Sequence, residues 1–204
     1  MPITKVYAKP GIDAIANYDY VDISTGTGVV VFNGFYAGLS GATTYHKLTD
    51  QTIYSELNES AGTIGQGNAT INFNLTAFNK PQLVRGTAIV RFSADNAGGA
   101  GHLWWWDVNI QKVSASAVVT TIGAAGSTLV DTSAGNVDYS FVIPIVLTET
   151  NFKKGDNLRV QVIGRGNADL CYLGHDPANR DSTHLTAATH PTKFEVLMPF
   201  KIDA

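Results

Sequence analysis

Three consecutive tryptophans and one histidine-rich stretch are the places where this sequence of 204 residues concentrates unusual side chains. Strand geometry splits the triplet, because successive side chains point to opposite faces. Trp104 and Trp106 then share one face with Val108 and Ile110. Trp105 heads a polar row on the other face, with Asp107, Asn109 and Gln111. A tryptophan beside amides and a carboxylate suits a stacking platform or an interface anchor, so these four residues are the ligand or interface candidates. The second cluster gathers His175, Asp176, His184 and His190 between Gly174 and Pro191. Imidazole and carboxylate could hold a divalent ion there, but the spacing matches no metal motif, and Asp-Pro and Asn-Arg-Asp are ordinary turn chemistry. No metal and no cofactor are therefore expected.

Catalytic signatures are absent from the pattern. There is no Gly-x-Ser-x-Gly elbow, and nothing sets two carboxylates at a glycosidase separation. Gly26-Thr27-Gly28 and Gly164-Arg165-Gly166 read as turns, since no helix N-terminus follows to bind a phosphate. Cys171, the single cysteine, excludes an intrachain disulfide and reads as a buried hydrophobe. Sequons at Asn58, Asn68 and Asn74 read as chance in an Asn/Thr-rich chain. The expectation is a protein that is not an enzyme.

The elements that must carry these residues are strands. Apolar and polar residues alternate through Ile71, Phe73 and Leu75, through Leu158, Val160 and Val162, and through Phe194, Val196, Met198 and Phe200. Longer β-rich runs cover Gly28 to Ala37, Gly86 to Ala94, Leu103 to Val113 and Val137 to Leu147. Asp95 to Gly101, Gly123 to Asn136 and Asp176 to Pro191 read as loops, and Phe152 to Leu158 as a turn delivering a strand. The best helical period is Leu48 to Asn58, so at most one short helix is expected. The fold class is all-β: a two-sheet antiparallel sandwich, with a jelly roll favoured. Residues 1–17 form an N-terminal arm and residues 18–204 a single sandwich domain.

Charge narrows the partners. The formal net charge is −3, with charged residues only 15% of the chain, which removes the basic footprint of a direct nucleic-acid binder. No apolar run approaches the roughly 18 residues of a membrane-spanning helix. The opening residues carry no export signal, so synthesis in the cytoplasm is expected.

Three phrases, Asp19 to Gly28, Phe152 to Val160 and Leu173 to Arg180, resemble jelly-roll structural proteins of tailed-phage virions, of the capsid decoration or cement type. That resemblance implies a non-enzymatic virion protein made in the host cytoplasm and placed on the capsid surface. It also implies binding to the major capsid protein or other virion proteins, with a homo-oligomer, a trimer favoured. The alternative is a carbohydrate-binding sandwich or tail receptor-binding module that uses Trp105.

Overall fold

The computed structural model describes residues 27–40, 43–62, 69–96, 103–131, 137–166 and 171–201. The arm expected over residues 1–17, most of the Asp19 to Gly28 phrase and Asn68 lie outside them. Twelve strands and no helix occur among the described residues. They are β1 (Thr27–Ser40), β2 (Thr43–Thr49), β3 (Glu59–Gly62), β4 (Ala69–Asn74), β5 (Gln82–Asn96), β6 (Leu103–Val113), β7 (Val119–Gly126), β8 (Val130–Asp131), β9 (Val137–Phe152), β10 (Asn157–Gly166), β11 (Cys171–Gly174) and β12 (Phe194–Lys201). The fold is all-β and sandwich-like, as the alternation requires.

Two layers follow from the pairing. One runs β9-β5-β12-β1-β2, with β11 and β3 continuing from the far end of β5; the other runs β4-β10-β6-β7, with β8 beside β6. A short parallel contact, His46 opposite Phe73 and Lys47 opposite Asn74, joins the layers along one side through β2 and β4. Every other pairing is antiparallel. On the opposite side β7 packs over β9. This approach explains Gly123, where a Cβ would stand 2.8 Å from Leu147 Cδ2 and 2.9 Å from Ile145 Cγ2.

Between the layers the inward residues of each strand meet. Val160 and Val162 of β10, Val108 and Ile110 of β6 and Val90 of β5 are all fully buried. A run of aromatic rings crosses this core. Trp104 and Trp106 pack edge-on at 6.3 Å, Trp106 meets Phe92 at 5.7 Å, Phe92 meets Phe194 at 5.8 Å, and Phe194 stacks on Phe73 at 4.1 Å. The last stack lies on Gly34, whose missing Cβ would stand 2.7 Å from both rings. Glycine is required there by close approach rather than by a turn.

Several expectations change against this frame. Leu48 to Asn58 contains no helix: Leu48 is the last buried residue of β2, and the following residues form a strap in which the Ser55 hydroxyl accepts from Tyr36 N (3.2 Å) and donates to Leu57 O (2.6 Å). Those side-chain bonds hold an irregular backbone in place of helical ones. Gly123 to Asn136, read as a loop, contains the end of β7 and all of β8, and the small residues of β7 permit its contact with β9. Asp95 and Asn96, read as loop, pair with β11 and β9. Gly164 to Gly166 end β10 opposite the tryptophans rather than forming a turn.

The expected turn at Phe152 to Leu158 is present, with Gly155 at φ 91°. Asp156 organises it: its carboxylate accepts from Lys153 N at 2.8 Å and Ala115 N at 3.3 Å and pairs with Lys112 at 3.0 Å. The bond from Lys153 N holds the Asp156 carboxyl below its ordinary range. Cys171 is fully buried as expected, and burial pushes its thiol up to about 12.

Replacing Gly34 by alanine should destabilise the fold by about 2 kcal/mol, because neither ring of the Phe73–Phe194 stack can retreat in a packed core. The urea midpoint of Gly34→Ala measures this, and an unchanged midpoint would contradict it.

Candidate functional site

At one end of the sandwich the aromatic run terminates on imidazoles. His46 points inward from β2, 5% exposed, and His175 follows β11 with no exposure at all. Their rings lie 4.9 Å apart, and His46 lies 5.2 Å from Phe73. Both reach the same hydroxyl: Ser60 Oγ of β3 is 2.9 Å from His46 Nε2 and 2.8 Å from His175 Nε2. A hydroxyl donates once and accepts twice, so at least one of the two rings donates to Ser60. Burial lowers His46 to about 4 and His175 to about 3, so both are neutral near pH 7.

An ion pair and a carboxylate–imidazole contact fasten the segments that deliver these groups. Asp176, fully buried, takes Arg180 Nε at 2.9 Å, and Arg180 Nη2 reaches over to Ser55 O (2.6 Å) and Asn58 Oδ1 (2.8 Å). The Arg180 guanidinium also covers the Tyr54 ring at 4.1 Å. Although burial opposes it, hydrogen bonding to Arg180 keeps the Asp176 carboxyl below its usual range. Glu59 accepts from Ser182 Oγ at 2.6 Å and meets His184 Nδ1 at 2.7 Å, while the His184 ring stacks on Tyr172 at 3.5 Å. These contacts tie the 175–193 loop to the strap after β2.

The result is an open cleft of about 590 Å³ between β2, β3 and β4. Tyr45, His46 and Ser60 form one wall, and Asn72, Asn74 and Arg159 the other. Arg159 Nε donates to Asn74 Oδ1 at 2.8 Å, leaving its terminal nitrogens without a bond to the described residues. Asn72 Oδ1 accepts from Gln161 Nε2 at 3.1 Å, so the Asn72 amide nitrogen is likewise free of described partners. Glu59 also lines the cleft, with its charge engaged by Ser182 and His184.

The residues singled out from sequence have different fates. Trp104 and Trp106 are buried as strand alternation requires, and Val108 and Ile110 with them. Trp105 is half-buried opposite Arg165, and the polar row below it is spent on cross-strand bonds. Asp107 pairs with Arg165 at 2.8 Å, and Asn109 and Gln111 both donate to Gln161 Oε1, at 3.0 and 3.3 Å. The expected platform is thus a cross-strand amide ladder, in which Gln111 Oε1 alone is buried without a partner among the described residues. His175, Asp176, His184 and His190 turn to separate partners, and no group of three or more metal-ligating side chains gathers among the described residues. Asn58 and Asn74, read as chance sequons, hold Arg180 and Arg159.

Ser60, His46, Glu59 and Arg159 were not marked by sequence. They lie on three strands, and no spacing in the chain announces their convergence. The strict alternation that turns Asn72, Asn74 and Arg159 to one face was the one available signal.

No protein-family model matches this sequence, and no curated protein does. Solved structures do share its fold. An aminopeptidase from a marine sediment Thaumarchaeota archaeon matches with a TM-score of 0.56 and 11% identity over 87% of this chain and 37% of its own. A CocE/NonD family hydrolase from Staphylococcus aureus matches at 0.53 and 9%, over 83% and 36%. An α-amino acid ester hydrolase matches at 0.53 and 11%, over 84% and 36%. The chain therefore spans just over a third of each of these hydrolases. This finding corrects the expected role: the fold is matched within hydrolases, which overturns the reading as a capsid decoration protein and its alternative, glycan or receptor binding through Trp105. The fold alone is what the likeness shows.

The buried imidazoles make stability depend on pH. As pH falls below about 6.5 the unfolded chain takes up protons that folded His46 and His175 refuse until about 4 and about 3. Stability is complete above that range and drops on acidification, by up to about 1.4 kcal/mol per pH unit for each histidine. Urea midpoints at pH 7.5 and 5 should show the loss. His46→Gln with His175→Gln should flatten it, and an equally steep dependence in that double variant would refute the assignment.

Proposed function

We propose that the chain is a non-catalytic β-sandwich module that holds a small carboxylate-bearing molecule in the cleft between β2, β3 and β4. The observation that carries this reading is Arg159. Its guanidinium faces the cleft with only Nε engaged, beside the free amide of Asn72, and a planar carboxylate accepts two parallel bonds from such a fork. Glu59 does not compete, since its oxygens are taken by Ser182 and His184.

The same geometry argues against a serine nucleophile at Ser60. A nucleophilic serine needs a base oriented by a third group and poised near the working pH. His46 and His175 both bond only Ser60 among the described side chains, and His175 Nδ1 is buried with no partner. Burial makes His46 a weak base, titrating at about 4. The hydroxyl acts as a bridge between two rings.

Titration of the full chain with an N-acetylated dipeptide and with its C-terminal amide tests the proposal. The free carboxylate should bind, and either the amide or Arg159→Gln should weaken binding about tenfold, the value of a charge-assisted pair. Equal affinity for acid and amide would overturn the ligand assignment. Labelling of Ser60 by a fluorophosphonate would overturn the non-catalytic reading.

A further inference from the structure

The outer face of the β9-β5-β12-β1 layer carries an apolar stripe left uncovered by the described chain. Cross-strand register lines up Pro144, Ile89, Leu197 and Val31 in one row across four strands. On one side of that row stand Val146 and Val29, 78% and 52% exposed. On the other side Val142, 64% exposed, is followed by Arg91, Glu195 and Asn33. From Tyr139 to Thr148 the edge strand β9 contains no ionisable side chain except Tyr139. A contiguous apolar stripe of this kind on an outer sheet face marks an interaction surface, and β9 lacks the charges that usually protect an edge.

The arrangement is self-complementary. A two-fold axis parallel to the strands, running between β5 and β12, reverses the order of strands across the interface. It sets Ile89 against the partner's Leu197 and Pro144 against the partner's Val31. The same operation sets Arg91 against the partner's Glu195 and Glu195 against the partner's Arg91. Neither residue closes an ion pair with the described residues of its own chain. A closed two-fold interface requires this matching of one patch to itself, and two sheet faces pack in this aligned way in sandwiches. We infer that this face is the docking surface for a second copy of the chain, which forms a two-fold dimer through the Val31, Ile89, Pro144, Val146 and Leu197 stripe with reciprocal Arg91–Glu195 pairs.

Sedimentation equilibrium of the full chain tests the dimer. The expected mass at micromolar concentration is twice 21.7 kDa. Val146→Asp, at a position too exposed to disturb the core, should weaken association at least about tenfold. Arg91→Glu and Glu195→Arg should each weaken it by placing like charges across the axis, and the double variant should restore it. A monomer at all concentrations, or a dimer indifferent to Val146→Asp, would overturn the inference. A dimer in which the charge-reversal double variant fails to recover would overturn this axis. Because the carboxylate cleft lies on other strands, Val146→Asp should leave ligand affinity unchanged, which separates the two proposals.

Discussion

A polar end on an aromatic core is the constraint from which the rest of this molecule follows. The run from Trp104 through Phe92, Phe194 and Phe73 needs a terminus, and the chain supplies two imidazoles where further phenyl rings would fit. An imidazole buried without hydrogen bonds costs about 1–3 kcal/mol for each unmet group. Ser60 meets one nitrogen from each ring. For that serine to arrive, β3 must lie beside β11, and β11 must lie beside the end of β5. The far end of β5, which extends beyond β12 and is paired with β9 on its other side, is thereby covered on both sides.

Holding β3 and β11 there is the work of the Asp176–Arg180 ion pair and the Glu59–His184 contact. Arg180 spans from Asp176 to the strap carbonyl of Ser55, and Glu59 spans from β3 to Ser182 and His184. Asp176 is fully buried, so its charge is tolerable only because Arg180 and the Arg180 and Ala178 backbone nitrogens face it. These contacts join segments more than 120 residues apart in the chain. The cleft is a by-product of the same closure: the strap and β3 rise on one side, and β4 with Arg159 forms the other.

Alternation made the strands legible, and burial follows it closely. Leu103 to Val113 was bounded correctly, and the split of Trp104 and Trp106 from Trp105 was correct for the reason given, the two-residue period of a strand. Failures came where small residues carry tertiary information. Gly123 to Gly126 resembles a loop in isolation, yet glycine is there because β9 lies too close for a side chain. Leu48 to Asn58 has a helical spacing, but its backbone is claimed by Ser55 and Arg180. The histidine loop matters for packing: His175 is buried against His46 and shares Ser60 with it, residues that lie 129 and 115 positions from it in sequence. A convergence of that kind leaves no trace in local spacing.

The two outer faces of the sandwich divide the roles. On the β4-β10-β6 face, Asn72, Gln161, Asn109 and Gln111 bond one another, and Asp107 bonds Arg165, so most of the polar groups are engaged with one another. Such a face gains less from association, since many new hydrogen bonds would replace ones already made. At its β4 edge the terminal nitrogens of Arg159 and the Asn72 amide nitrogen have no partner among the described residues. The opposite face has the reverse character, with apolar groups that only burial can remove from water and a charged pair, Arg91 and Glu195, that closes no ion pair among the described residues. The proposed cleft sits where the two layers meet, between β2 and β3 on one side and β4 and β10 on the other, whereas the proposed association surface lies on β9, β5, β12 and β1, so the closure at His46, Ser60 and His175 shapes the first without touching the second.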